Sequence, residues 1–178
     1  MLRVEGAVWV LGALLLLTVP LNWLLAAVAA AAFHEMCHAL AVKSVGGKIW
    51  GLKLNVGSAE LLTSPLSRRE ELLCALAGPV GSLSLLTLCR LFPRLALCGA
   101  CQGFFNLLPL FPLDGGRALR CLSPQWSDLV GRCVALFLLA LAIFGAVFRQ
   151  TGLLPVVLMG ILVSKGKNPC KSSRFGVQ

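Results

Sequence analysis

The chain has two histidines, and they stand four residues apart in His34-Glu35-Met36-Cys37-His38. On an α-helix, positions i and i+4 lie one above the other on the same face, so both imidazoles can reach one metal ion. Glu35 between them has the chemistry of a base toward a water activated at that ion. The pattern points to metal-assisted hydrolysis. Its setting is unusual for a soluble protein, because the pentad closes a run from Leu24 to Phe33 in which every residue is apolar.

A catalytic zinc site takes three protein ligands and keeps one position open. With no third histidine, the remaining donor must be Asp, Glu or Cys, which excludes the three-histidine metzincin pattern. The carboxylates are Glu5, Glu35, Glu60, Glu70, Glu71, Asp114 and Asp128. Glu5 stands at the start of the first apolar stretch, and Asp128 follows a loop containing Pro124, Trp126 and Ser127. Glu70 and Glu71 suit the first turn of a helix, where acids complement the dipole. Asp114 ends the apolar segment Phe105-Asn106-Leu107-Leu108-Pro109-Leu110-Phe111-Pro112-Leu113-Asp114-Gly115-Gly116. The bland account of Asp114 is an Asp-Gly turn closing a helix. Two choices of third ligand stay open on the residues alone: Asp114, or one of Glu60, Glu70 and Glu71 on a later element.

The elements that must position these groups read as membrane helices. Of 178 residues, 58% are hydrophobic and 13% charged, against about 25% charged in a soluble domain; the mean hydropathy is +0.87. One membrane-embedded domain fills the length. The net charge of +9 does not argue for nucleic acid, because Lys and Arg fall between apolar segments, as in cytoplasmic loops. The eight cysteines lie mostly inside apolar runs, where the thiol behaves as a small hydrophobe. Cys98-Gly99-Ala100-Cys101 has metal or redox spacing but no partner pair. Arg3 and the apolar stretch after it resemble a signal peptide, yet apolar character resumes after Pro20, which favours a retained first span.

From Ala7 to Val42 the only ionisable groups are those of the pentad. As one helix this run would extend roughly 54 Å, nearly twice the hydrocarbon core of about 30 Å. It must fold back near Pro20, giving spans at about 4–19 and 21–43. Further apolar segments at about 71–92, 95–112, 129–148 and 151–164 complete an all-α polytopic membrane fold of about six transmembrane helices. Between spans two and three, the alternation of Leu52, Leu54 and Val56 with Lys53 and Asn55, then Gly57-Ser58, predicts a short β-hairpin or re-entrant loop within 47–64. With the N-terminus inside, 13 of the 16 Lys and Arg face the cytoplasm, and Arg90, Arg94 and Arg149 face out. Both termini are then cytoplasmic. Spans two and four run the same way, so His34, His38 and Asp114 can meet at one depth, with His34 roughly 13 Å along the helix from Lys43. Pro109 and Pro112 predict unwound backbone beside them, which a membrane tolerates only where protein or a cavity satisfies it.

Together, His34-Glu35-x-x-His38 and Asn106-x-x-Pro109-x-x-Pro112-Leu113-Asp114-Gly115-Gly116 resemble the site-2 protease family of intramembrane zinc metalloproteases. The compact layout without a PDZ insertion is similar to the sporulation type, stage IV sporulation protein FB-like. The resemblance implies one zinc ion per chain held by His34, His38 and Asp114, with Glu35 as general base and Asn106 and Pro112 holding substrate. It implies cleavage in or near a transmembrane segment of a single-span or membrane-associated protein, such as a membrane-anchored regulator or a pro-sigma factor. Expected partners are the lipid bilayer, that substrate, and a regulatory membrane protein or a second copy of the chain. An edge strand of the 47–64 hairpin, with Leu52 and Leu54 as contacts, suits strand addition to an extended substrate. Two features depart from the family pattern. Ala77-Gly78-Pro79-Val80-Gly81-Ser82 has Ser where Gly-Pro-x-x-Asn is usual, and a C-terminal CBS domain, with its ATP-linked regulation, is not expected from this chain. The rival readings are a membrane zinc protease with a Glu ligand and a catalytically inactive zinc-binding scaffold; Glu35 disfavours the second, since a pure metal holder needs no such acid.

Overall fold

The computed structural model describes residues 2–4, 16–55, 58–148 and 160. The chain divides into two compact units, Met1–Leu107 and Leu108–Gln178.

In the first unit, β1 (Leu2–Val4) precedes the long helix α1 (Leu21–Ser44). Pro20 stands at the N-cap of α1, where its missing N–H and fixed φ cost nothing. Its end is encoded as clearly. Gly46 takes φ +78°, its N–H donates to the Lys43 carbonyl, and Gly47 N–H donates to the Val42 carbonyl at 2.8 Å. These two bonds form a Schellman stop, which needs a residue at ease in the left-handed region. Along α1, Ala30, His34, His38 and Val42 are buried at four-residue spacing, while Leu25, Val28, Met36 and Leu40 are exposed. A helix of 24 residues is about 36 Å long. An apolar exterior around one inward stripe is the pattern of a helix solvated by lipid.

The hairpin predicted within 47–64 is present as β2 (Ile49–Asn55) and β3 (Ser58–Thr63), paired antiparallel from Ile49↔Thr63 to Asn55↔Ser58. Ser64 and Lys48 close its base, with Lys48 N–H donating to Ser64 Oγ at 3.0 Å. A third strand was not predicted. β1 pairs parallel with β2, Leu2 against Leu52 and Val4 against Leu54, giving the order β1-β2-β3. Val4 therefore belongs to a strand rather than to the start of the first span; residues 5–15 of that expected span lie outside the described residues.

Helix α2 (Arg68–Ser84) continues through a 3-10 turn, Leu85–Leu88. Its start is a capping box: Ser67 N–H donates to Glu70 Oε2 at 2.7 Å, and Glu70 N–H donates to Ser67 Oγ. Helix α3 (Pro93–Asn106) runs antiparallel to α2. Gly99 faces Ser82 and Leu85, and Gly103 faces Pro79 and Leu83. A Cβ at Gly99 would lie 2.7 Å from Leu85 Cδ1, and one at Gly103 3.1 Å from the Pro79 carbonyl oxygen. Glycines at i and i+4 thus let the two backbones approach closely, the small-residue packing that helices use where lipid removes any hydrophobic drive. α1 is also antiparallel to α2, so α1 and α3 are parallel, and Arg94 near the start of α3 stacks over Trp23 near the start of α1.

The expected fourth span, 95–112, ends earlier than hydropathy suggested. α3 stops at Asn106 because Pro109 and Pro112 lack the N–H groups a further turn would need. Its 14 residues cover about 21 Å.

In the second unit, an irregular stretch from Leu108 to Leu113 leads into α4 (Asp114–Leu122) and α5 (Pro124–Phe148). Leu110 and Leu113 are buried against Val134, Ala135, Leu138, Leu139 and Ala142 of α5, and a Cβ at Gly131 would lie 3.2 Å from the Pro109 carbonyl oxygen. The unwound backbone is therefore covered by protein, as its position in a membrane chain requires. Among the described residues, three helices are long and apolar enough to span a bilayer: Leu21–Ser44, Arg68–Leu88 and Pro124–Phe144. The sixth expected span, 151–164, lies outside the described residues except for residue 160.

Candidate metal centre

His34 and His38 point inward from α1 toward α2, with 2% and 8% of their surfaces exposed. Their rings meet edge to face with centroids 4.7 Å apart, and their Nε2 atoms are 3.1 Å apart. The opposite ring nitrogens are both engaged by α2. His38 Nδ1 lies 2.7 Å from the Cys74 carbonyl oxygen, and a carbonyl only accepts, so Nδ1 carries the proton. In the neutral imidazole that leaves the Nε2 lone pair as the donor to a metal. His34 Nδ1 lies 2.8 Å from Ser82 Oγ, an arrangement compatible with the same tautomer. Two imidazole nitrogens on one tetrahedral zinc at about 2.05 Å sit roughly 3.3 Å apart. The observed pair fits that ion.

The imidazoles are seated by the small residues of α2. A Cβ at Gly78 would fall on the His38 ring, and one at Gly81 on the Cys37 thiol. Cys74, Gly78 and Ser82 recur every four residues on one face of α2, so a single stripe provides a carbonyl, a space and a hydroxyl. Glu35 is half-buried, next to His34 in the chain, and Met36 on the opposite side is exposed.

Asp114 is the first residue of α4, with 8% of its surface exposed. A helix N-terminus is where an ionised carboxylate is favoured. Gly115 and Gly116 after it are buried, and a Cβ at Gly116 would come within 2.5 Å of the Leu110 carbonyl. Glycine there allows the loop to fold over the first turn of α4. Arg120 stacks over Phe111, 4.6 Å from the ring centroid, on the same short helix and loop, and the Phe111–Pro112 peptide is cis.

The rival third ligands are differently placed. Glu70 is bonded within the capping box, Glu71 is exposed on the same first turn, and Glu60 pairs with Lys53 across the hairpin. Asn106 is the last residue of α3, and its side-chain amide donates to the Gln102 carbonyl at 3.1 Å. Leu52 and Leu54 lie on the central strand, paired on one side with Leu2 and Val4 and on the other with Leu61 and Ala59. They are not on an edge; of the hairpin's two strands, β3 is the one at the sheet's margin. Cys98 and Cys101 flank the Gly99 contact, half-buried and exposed respectively, and no disulfide joins cysteines among the described residues. Sequence reasoning noted Ser82 only as a departure from pattern and gave Cys74 and Gly78 no part. Their four-residue recurrence was the available signal.

No family model matches the chain. It is 30% identical over 154 residues to Zinc metalloprotease MJ0392 of Methanocaldococcus jannaschii, an alignment covering 74% of this chain and 42% of that protein. The chain thus spans about two fifths of the length of the relative it matches. Its fold matches the site-2 protease from Methanocaldococcus jannaschii with a TM-score of 0.67 at 21% identity, over 96% of this chain and 88% of the other. The described helices and hairpin are therefore those of a membrane protein with the site-2 protease fold. The similarity to a zinc metalloprotease in sequence and that to a site-2 protease in fold are independent findings that point the same way.

Proposed function

We propose that the chain is an intramembrane zinc metalloprotease that hydrolyses a peptide bond in or near a transmembrane segment of a membrane-associated protein. The observation that carries this reading is the buried His34–His38 pair. Its Nε2 atoms are 3.1 Å apart, each Nδ1 is engaged by α2, and Glu35 stands between the two histidines in sequence. Buried imidazoles in an otherwise apolar, lipid-solvated helix are costly, and such groups are functional by default.

Asp114 is the proposed third ligand, since a catalytic zinc takes three protein ligands and the chain offers no third histidine. Support comes from the α2–α3 register. Gly103 lies opposite Pro79, so Asn106 lies near the level of Leu76, close to the Cys74–Gly78 stretch that seats His38. α3 thus ends at the depth of the imidazoles, and Asp114 follows within eight residues. When bound, zinc would supply Lewis acidity to a carbonyl and lower the pKa of a water toward neutrality. Glu35 takes the proton of the attacking water and returns it to the leaving amine. The scissile bond must be extended, because a helix ties its carbonyls into i to i−4 bonds. A substrate strand added to β3 would hold it so, and Asn106 and Pro112 are proposed to line its path. The sporulation type, a pro-sigma factor or membrane-anchored regulator as substrate, and a cytoplasmic opening are finer parts of the same proposal.

Co-expression with single-span candidate substrates tests it. Wild type should release a cytoplasmic fragment, and Glu35→Gln should release none while keeping its zinc. A fully active Gln variant would sink the assignment.

A further inference from the structure

We infer that Ser82 is a positioning residue of the metal site, holding the His34 imidazole with Nε2 turned toward the ion; this rests on the zinc reading above. Ser82 is fully buried, with Oγ 2.8 Å from His34 Nδ1. A neutral imidazole has one N–H. If His34 donates Nε2 to zinc, Nδ1 carries the hydrogen and Ser82 Oγ accepts it. Loss of that partner removes the contact that favours this tautomer and ring orientation.

The two histidines differ in how the orientation is encoded. His38 is oriented by the Cys74 carbonyl, which any residue at that position would provide. His34 Nδ1 is met by a side chain, so this contact depends on the identity of residue 82. That residue is itself fixed from behind: Gly99 of α3 brings its backbone against Ser82, where a Cβ would lie 2.9 Å from the Ser82 carbonyl oxygen. The glycine contact thus sets the depth at which the hydroxyl meets the ring. Partners of this kind, bonded to the far nitrogen of a metal-bound histidine, usually contribute 10- to 100-fold to metal affinity.

The test measures zinc affinity by chelator competition on the purified full chain in detergent, for wild type, Ser82→Ala and Ser82→Thr, alongside melting of the metal-free forms. Ser82→Ala should bind zinc about 10- to 100-fold more weakly with its metal-free melting little changed. Ser82→Thr, which keeps the hydroxyl, should recover most of the affinity. Affinity in the Ala variant equal to wild type overturns the inference, as does a Thr variant as weak as Ala, or a loss of affinity matched by collapse of the metal-free fold. Wild type that binds no zinc overturns the metalloprotease reading itself, which separates the two failures.

Discussion

An imidazole that serves a metal through one ring nitrogen needs its other nitrogen occupied, and here two routes are used. His38 bonds a main-chain carbonyl of α2 and His34 a serine hydroxyl of the same helix. The consequences of single changes differ accordingly. Glu35→Gln keeps the volume and removes the base, so turnover should fall by about 10²- to 10⁴-fold with zinc content unchanged, read by fragment release and metal analysis of one preparation. Asp114→Ala should lose zinc as well as activity; full occupancy in that variant would return the third ligand to Glu60 or Glu71. The histidine pair was legible in the sequence because i, i+4 spacing is a local signal. Ser82 and Cys74 were not. They stand 48 and 36 residues from the histidines they touch, and only the register of α1 against α2 makes them neighbours.

That register depends on a few positions without side chains. At Gly78 even a methyl group would overlap the His38 ring. Gly78→Ala should therefore cost about 1–3 kcal/mol through overpacking and weaken zinc binding, seen as a lower melting temperature and reduced metal content. The outward-facing Leu40→Ala should change neither by a comparable amount. The hairpin was legible from its alternation of apolar and polar residues; Ser58, expected in the turn, instead opens β3 opposite Asn55, and residues 56–57 lie outside the described residues. β1 was not, since three residues carry no period. Nor was the end of α3, because hydropathy continues through Pro109 and Pro112 while the hydrogen-bond ladder cannot. The same two prolines explain α4: once the helix is broken, Asp114 can open a new one, and Gly115-Gly116 lets its first turn tuck under the loop.

Across the whole chain, the charge pattern makes a sharp statement about sidedness. All six lysines, at 43, 48, 53, 165, 167 and 171, fall in segments assigned to the cytoplasm, and the groups assigned outside are arginines. A membrane-impermeant amine reagent should label the protein in inverted vesicles and leave it untouched in right-side-out ones; the reverse result would invert the orientation. Stripping zinc with a chelator should halt cleavage in either preparation, and restoring the ion should revive it. The membrane class was legible from composition alone, and among the described residues three helices are long and apolar enough to cross a bilayer. One last consequence concerns biosynthesis. Leu2 pairs with Leu52, a separation of 50 residues, so the first strand cannot find its partner until α1 has been made and the hairpin has left the ribosome. The sheet records a waiting step: β1 remains unpaired while the chain that separates it from β2 is delivered to the bilayer.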